Sequence, residues 1–213
     1  MKIMVLADEP DRRLWDLLDR PILKEMDIIL ACGDLPAEYL SFLTCFTSAP
    51  ILYVCGNHDE SYEKKPPEGC FCVEDQVYCC KGVRILGLGG SMRYRPGLYQ
   101  YTEAQMRRRV KRLSFRLWRT GGFDILMTHA PARGIGDEEH ISHRGFETFL
   151  HLMDKYKPRY MVHGHMHREY TSRFKRQREY GETVVINANK SYIIEFESSA
   201  PDKRRALRNK KIR

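Results

Sequence analysis

The sequence predicts an α/β fold, and three observations carry that prediction. Short apolar runs at 2–7, 27–32 and 50–55 alternate with helical stretches, which reads β-α-β-α-β. Each run ends in residues equipped for chemistry: Asp8, Gly33-Asp34, Gly56-Asn57-His58-Asp59, and later His129 and His163-Gly164-His165-Met166-His167. The length of 213 residues suits one domain with a substantial core, and a composition 42% hydrophobic and 30% charged is that of an ordinary globular chain.

The elements come in order. Residues 2–7 are an apolar run that stops at an acid, which reads as a first strand; a secretion signal would need an apolar region of about 7–15 residues. Residues 11–26 place Leu14, Leu17, Leu18, Ile22 and Leu23 at helical spacing, with Pro21 expected to break or kink the helix. A buried strand at 27–32, a helix at 37–47 and a third strand at 50–55 come next, then a loop at 60–69 rich in Pro, Lys and Glu. Residues 77–80 and 83–88 suggest two antiparallel strands, and Gly87, Gly89 and Gly90 mark tight backbone. The clearest helix is 102–118: Thr102 and Gln105 fit a capping box, and Met106, Val110, Leu113 and Leu117 form one apolar stripe. Its Arg107, Arg108, Arg109, Lys111, Arg112 and Arg116 read as a solvated face rather than a nucleic-acid patch. A strand at 124–128, a helix at 145–155, a strand at 158–162 and closing strands at 183–187 and 191–196 complete the series. With no internal repeat and no linker, 1–197 is expected to be one domain and 198–213 a basic tail.

The charge is unevenly placed. The whole chain carries +8, but residues 203–213 hold seven basic residues and no acids, which leaves +1 for residues 1–202. Such a tail suits nucleic acid, another polyanion or an acidic membrane surface, or simply solvation. No apolar run approaches the roughly 18–20 residues of a membrane helix, so no integral membrane segment and a cytoplasmic location are expected. The seven scattered cysteines read as reduced thiols, and Cys70, Cys72, Cys79 and Cys80 lack the paired C-x-x-C spacing of a zinc ribbon.

In largely parallel sheets the carboxyl ends of the strands share one edge, where ligands bind. Five separated segments therefore bring carboxylates, an amide oxygen and imidazoles to a common place. That mixture suits Mn, Fe or Zn better than Mg or Ca.

The ordered series Asp8, Gly33-Asp34, Gly56-Asn57-His58-Asp59, His129 and Gly164-His165-Met166-His167 resembles the calcineurin-like metallophosphoesterase superfamily, over residues 3 to about 196. Gly89-Gly90-Ser91 and the closing strand into Asn187 resemble its smaller bacterial members. The resemblance implies a four-layer α/β/β/α sandwich of two mixed β-sheets flanked by helices. It implies two divalent ions, Mn²⁺ first, with Fe or Zn as alternatives. Asp34 would bridge them, Asn57, His129 and His165 would complete the second site, and Asp8 and His167 would belong to the first. His58 would be the general acid, oriented by Asp59, and His163, outside the pattern, a supporting or core residue.

The pattern breaks at its first motif. D-x-H becomes Asp8-Glu9-Pro10, and proline offers no ligand atom, so the first site is expected to be weakened unless another group fills in. Glu9 and the loop 130–143, with Asp137, Glu138, Glu139, His140 and His143, are the candidates. The implied function is hydrolysis of phosphodiesters or phosphomonoesters, diesters slightly favoured; the alternative is a weakened or inactive binding module or scaffold. Arg93 and Arg144, beside Tyr94 and Arg133, are candidate substrate contacts. Nucleic acid remains a candidate partner through 203–213, and the sequence leaves the oligomeric state open.

Overall fold

The apolar runs become strands buried on both faces. The computed structural model describes residues 1–16, 20–167 and 175–197; the expectations for Leu17, Leu18 and the tail 198–213 lie outside them. In chain order come β1 (Lys2–Ala7), α1 (Arg12–Trp15), α2 (Arg20–Lys24), β2 (Ile28–Ala31), α3 (Ala37–Thr44), β3 (Ile51–Tyr53), β4 (Phe71–Cys72), β5 (Gln76–Cys80) and β6 (Val83–Leu88). Next are β7 (Ser91–Met92), β8 (Gln100–Tyr101), α4 (Glu103–Arg112), α5 (Ser114–Thr120) and β9 (Ile125–Thr128). Last come α6 (Glu147–Tyr156), β10 (Tyr160–His163), β11 (Gln177–Tyr180), β12 (Thr183–Asn187) and β13 (Lys190–Glu195). Single 3₁₀ turns occupy Asp59–Glu63 and Ile141–His143.

Two large mixed sheets result. One has the order β13-β1-β2-β3-β4 and the other β11-β12-β10-β9-β6-β5. In the first, β1 through β4 are parallel and only β13 opposes them; in the second, β6, β9, β10 and β12 are parallel and the edges β5 and β11 are antiparallel. Alternation along β1 shows how the layers form. Ile3, Val5 and Ala7 point between the sheets, where they join Ile28, Leu30, Ile85, Ile125, Met127, Val162 and Ile186. Met4 and Leu6 point the other way, onto Leu14, Leu23, Leu40 and Leu43 of α1 to α3. The outer face of the second sheet meets Met106, Leu117, Phe149 and Leu152 of α4 to α6. The architecture is the four-layer α/β/β/α sandwich. Each fully buried aliphatic side chain contributes about 1.5–3 kcal/mol of apolar burial, so neither sheet tolerates a register slip.

The expected break at Pro21 is present: α1 ends at Trp15, and Pro21 lies in the first turn of α2, where its missing N–H breaks no helical bond. Two local expectations change. The stretch 102–118 is two helices that meet at Leu113, which ends α4 and starts α5 while the apolar stripe runs on past the break. Arg109 is not on a solvated face. It is buried, donating from Nε to Asp75 Oδ1 (2.9 Å), from Nη1 to the Gly89 carbonyl (2.8 Å) and from Nη2 to Glu74 Oε2 (2.5 Å), and it lies 4.4 Å from the Tyr101 ring centre. The Thr102–Gln105 capping box is present.

Candidate metal centre

The parallel strands deliver their ends to one edge. β1 leads into Asp8, β2 into Asp34, β3 into Asn57, β9 into His129 and β10 into His165. The backbone turns sharply there: Asp8, Asp34 and His165 have φ of 66°, 56° and 68°, the left-handed region that costs an L-residue roughly 1–2 kcal/mol. Two glycines allow the close approach. A Cβ on Gly33 (φ 90°) would lie 2.5 Å from the Gly56 nitrogen and 2.7 Å from His129 Nδ1, and one on Gly56 would lie 2.1 Å from Asp34 Oδ1.

At the centre sits His129, fully buried. Its Nδ1 faces the Cys32 carbonyl at 2.8 Å; a carbonyl only accepts, so Nδ1 carries the hydrogen and Nε2 presents a lone pair in the neutral ring. The same reasoning applies to His165, whose Nε2 meets the Ser142 carbonyl at 2.6 Å and leaves Nδ1 as the lone-pair atom. These two lone-pair nitrogens are 3.1 Å apart. Asn57 Oδ1 and Asp34 Oδ2 each approach His129 Nε2 to 3.2 Å. Four acceptor atoms thus converge with no donor of their own, which is the arrangement a cation satisfies.

The electrostatics agree. Burial opposes charge on His129, yet Asp34 beside it raises the imidazole to about 9. Burial alone would raise Asp34, but the His129 charge and the His58 N–H, 2.8 Å from Oδ1, hold it well below the usual carboxylate range. Burial, followed by the His129 charge, pushes His165 down to about 3. Without an ion, one shared proton does a cation's work.

Asp8 stands at the edge of this group. Its Oδ1 accepts from the His165 N–H at 2.7 Å, while Oδ2 is shielded from solvent with no hydrogen-bond partner among the described residues. Burial accordingly raises its pKa. His167 lies beyond, its Nδ1 3.5 Å from Glu9 Oε1. Asn189 Nδ2 donates to Glu9 Oε1 at 3.4 Å, and Lys190 Nζ is 3.4 Å from Oε2. Asp34, His129 and His165 place ligand atoms within 4.8 Å of one another, the one such His/Cys/Asp/Glu group among the described residues; Asp8 and His167 are outside it, and so are Cys70, Cys72, Cys79 and Cys80. An orphaned buried carboxylate oxygen and a mixed carboxylate, amide and imidazole set fit a divalent transition ion.

Other expected residues take different places. His58 is exposed at the mouth. Among the described residues no hydrogen bond joins Asp59 to the His58 ring; its Oδ2 accepts from the Gly56 N–H (2.7 Å) and the Asp34 N–H (2.8 Å), so it ties the β2 and β3 ends together. Burial, then the Asp34 charge, raises Asp59 to about 6. His163 is buried with Nδ1 against the Gly164 carbonyl at 2.9 Å, and burial lowers it to about 4. Arg93 comes just after β7, which packs on the turn Ile141–His143, and with Tyr94, Arg95, Pro96 and Gly97 it lines a hollow of about 530 Å³. Arg144 donates to the Glu139 carbonyl (3.2 Å), and Arg133 pairs with Asp137 and Glu139. His143 stands with its ring 5.6 Å from His165, so the loop 130–143 covers the His165 side and Glu9 stands on the His167 side.

Two contributors carry no signal in the sequence, the carbonyls of Cys32 and Ser142, because any residue supplies a carbonyl. Asn187, where the sequence already ends a closing strand, has partners the sequence does not show: its Nδ2 donates to the Met166 carbonyl at 2.7 Å and its Oδ1 accepts from the Asn189 N–H at 2.8 Å, steadying the β10 end from β12.

Comparison with known proteins places this site in context. The family profile described as calcineurin-like phosphoesterase matches residues 1–169. One solved structure aligns with a TM-score of 0.64 at 14% identity, over 91% of this chain and 94% of its own. TT1561 of Thermus thermophilus aligns at 0.58 and 17% identity, covering 88% of each chain. GAP50, the anchor in the inner membrane complex of Plasmodium, aligns at 0.54 and 11% identity over 89% of this chain and 71% of its own. At such identities the likeness is one of fold. No curated protein matches the chain.

Proposed function

The chain belongs to the calcineurin-like phosphoesterase family, and on that premise we propose that it is a metal-dependent hydrolase of phosphoesters, diesters favoured over monoesters. The observation that carries the proposal is the convergence of four acceptors, His129 Nε2, His165 Nδ1, Asn57 Oδ1 and Asp34 Oδ2, with no donor among them. These four residues would hold one divalent ion. Asp34 would share its carboxylate with a second, held also by Asp8 and His167; Mn²⁺ suits the donors best, and Fe or Zn also fit. Such ions, when bound, supply charge to phosphoryl oxygens and lower the pKa of water to about 7.

The chain's own residues do the rest. The Cys32 and Ser142 carbonyls fix which imidazole nitrogen faces inward. Asp59 locks the Asp34 and Gly56 backbones, which keeps the Asp34 carboxylate aimed. His58, exposed next to Asn57, gives a proton to the departing alkoxide as general acid. Arg93, Arg144 and the hollow beside Arg93 offer guanidinium groups to a substrate phosphate. A cytoplasmic setting is part of the proposal. Among the described residues no helix is long and apolar enough to cross a membrane.

Pro10 favours a second reading, a binding module, since it removes the imidazole that the family's first motif supplies. GAP50 is an anchor, so the fold serves in that role there. One experiment separates the two: metal content by elemental analysis of untagged protein, paired with hydrolysis of bis-p-nitrophenyl phosphate and p-nitrophenyl phosphate in Mn²⁺. Close to two ions per chain with Mn²⁺-dependent turnover is expected. Metal-free protein that turns over neither ester gives the module reading the field.

A further inference from the structure

Away from the metal edge, α4 and α5 present a surface that the fold does not use. Phe115 and Trp118 stand on it 69% and 65% exposed, the two most exposed large apolar side chains among the described residues. Their ring centres are 5.9 Å apart, so they form one apolar knob. The same two helices carry Arg107, Arg108, Lys111, Arg112, Arg116 and Arg119, all exposed and none in an ion pair among the described residues. The one acid of the two helices, Glu103, is engaged elsewhere, accepting from the N–H groups of Glu147 and Thr148 at the start of α6.

The charge is concentrated here. Residues 103–120 hold seven cations and one acid, a net +6, whereas residues 1–202 total +1. The rest of that body is therefore net negative (+1 less +6, or −5), and this face, on which six of the seven cations stand while Arg109 is buried, is a positive pole of it.

We infer that the α4–α5 face docks the protein on an anionic phospholipid surface, with Phe115 and Trp118 entering the headgroup layer and the exposed cations of the two helices meeting lipid phosphates. An amphipathic basic surface with Trp and Phe at its centre is what interfacial binding requires. Arginine suits the boundary, since its stem packs on apolar groups while its guanidinium reaches phosphate. Two further observations choose this occupant. A second copy would set two positive poles against each other. A nucleic acid would use aromatic rings as separate stacking platforms, whereas these two rings pack on each other as one unit, their planes inclined at 33°. The seven cations of residues 203–213 supply the second signal that stable interfacial anchoring calls for. The docking face also leaves the metal edge free. Arg84, at the start of β6, donates to the carbonyl of Thr120 at the end of α5, so this end of the helix pair lies toward the sheet edge opposite the strand ends.

The test is flotation of the full chain with vesicles of phosphatidylcholine, alone or mixed with phosphatidylglycerol. Binding to the mixed vesicles alone is expected. The pair Phe115→Ser/Trp118→Ser and the pair Arg112→Glu/Arg116→Glu should each weaken partitioning about tenfold or more while leaving hydrolysis of bis-p-nitrophenyl phosphate in solution unchanged. In a Trp15→Phe background Trp118 is the sole tryptophan, and its emission should shift to the blue on anionic vesicles. Failure to float overturns the inference. So does flotation that ignores both variant pairs and vanishes only when 203–213 is removed. Binding of single-stranded RNA or an acidic protein that both pairs abolish, without flotation, overturns it in favour of that partner.

Discussion

The Asp34–His129–His165 cluster and the Asp8–His167 end, joined through the short run His165-Met166-His167, are built differently. In the cluster both imidazoles have their outward nitrogen fixed by a backbone carbonyl, and Asp34 is aimed by the His58 N–H. At the other end the side chains of His167 and Glu9 are 28% and 35% exposed, Pro10 contributes no donor atom, and Asp8 Oδ2 has no partner among the described residues. Preorganisation is what separates them. One region holds its acceptors in place before any ion arrives; the other must gather them.

Asp34→Asn should break the comparison altogether, because it removes charge from the carboxylate proposed to serve both ions. Turnover of bis-p-nitrophenyl phosphate is expected to fall by roughly 10²–10⁴, and elemental analysis should find metal lost from both regions. Full activity in this variant would end the two-ion proposal. His58→Ala comes next. Loss of a general acid costs about 10²-fold or more, with metal content unchanged, and the loss should be greater for an alkyl ester than for p-nitrophenyl, whose leaving group needs no proton. An equal loss for both esters would assign His58 to ion or substrate binding instead.

How much of the molecule is legible in the sequence depends on what each residue's partner is. Strand ends are legible because buried parallel strands are continuous apolar runs, and the residue just past each run stands at the edge; Asp8, Asp34, Asn57, His129 and His165 stand out that way. Arg109 is misread because its partners, Glu74, Asp75 and the Gly89 carbonyl, come from distant loops, and helical periodicity sees only neighbours. The division at Leu113 leaves no trace either, since no Gly or Pro marks it and the apolar stripe crosses it. The short strands β4, β7 and β8 are two residues each, too short for any period. Asp59 reads in the sequence as a carboxylate that aims its neighbour; its actual partners, two backbone N–H groups, give no hint of themselves there.

Two substitutions sharpen the contrast with moderate effects. Pro10→His should tighten the weaker of two binding steps about 10–100-fold in Mn²⁺ titration calorimetry and leave the tighter step alone. Glu9→Ala should weaken that same step, because Glu9 is the carboxylate beside His167. If Pro10→His changes neither step, a group already in place does the missing histidine's work, and Glu9→Ala then reveals whether that group is Glu9.

The smallest effect concerns protons. In chelator-treated protein His129 is raised to about 9 from an ordinary 6.5, so the folded state holds its proton more tightly than the unfolded chain. That stabilisation is fully present below about pH 6.5 and is lost as pH rises through about 9. The melting temperature of metal-free protein should therefore decline between these values, by about 2–4 °C for each kcal/mol of coupling. Metal binding has the opposite sign, since the ion must displace that proton and its affinity should rise over the same window, levelling above pH 9. His129→Gln should flatten the decline without an ion. A decline that survives in His129→Gln would mean that another group carries it, and that the cluster is less tightly coupled than its four converging acceptors imply.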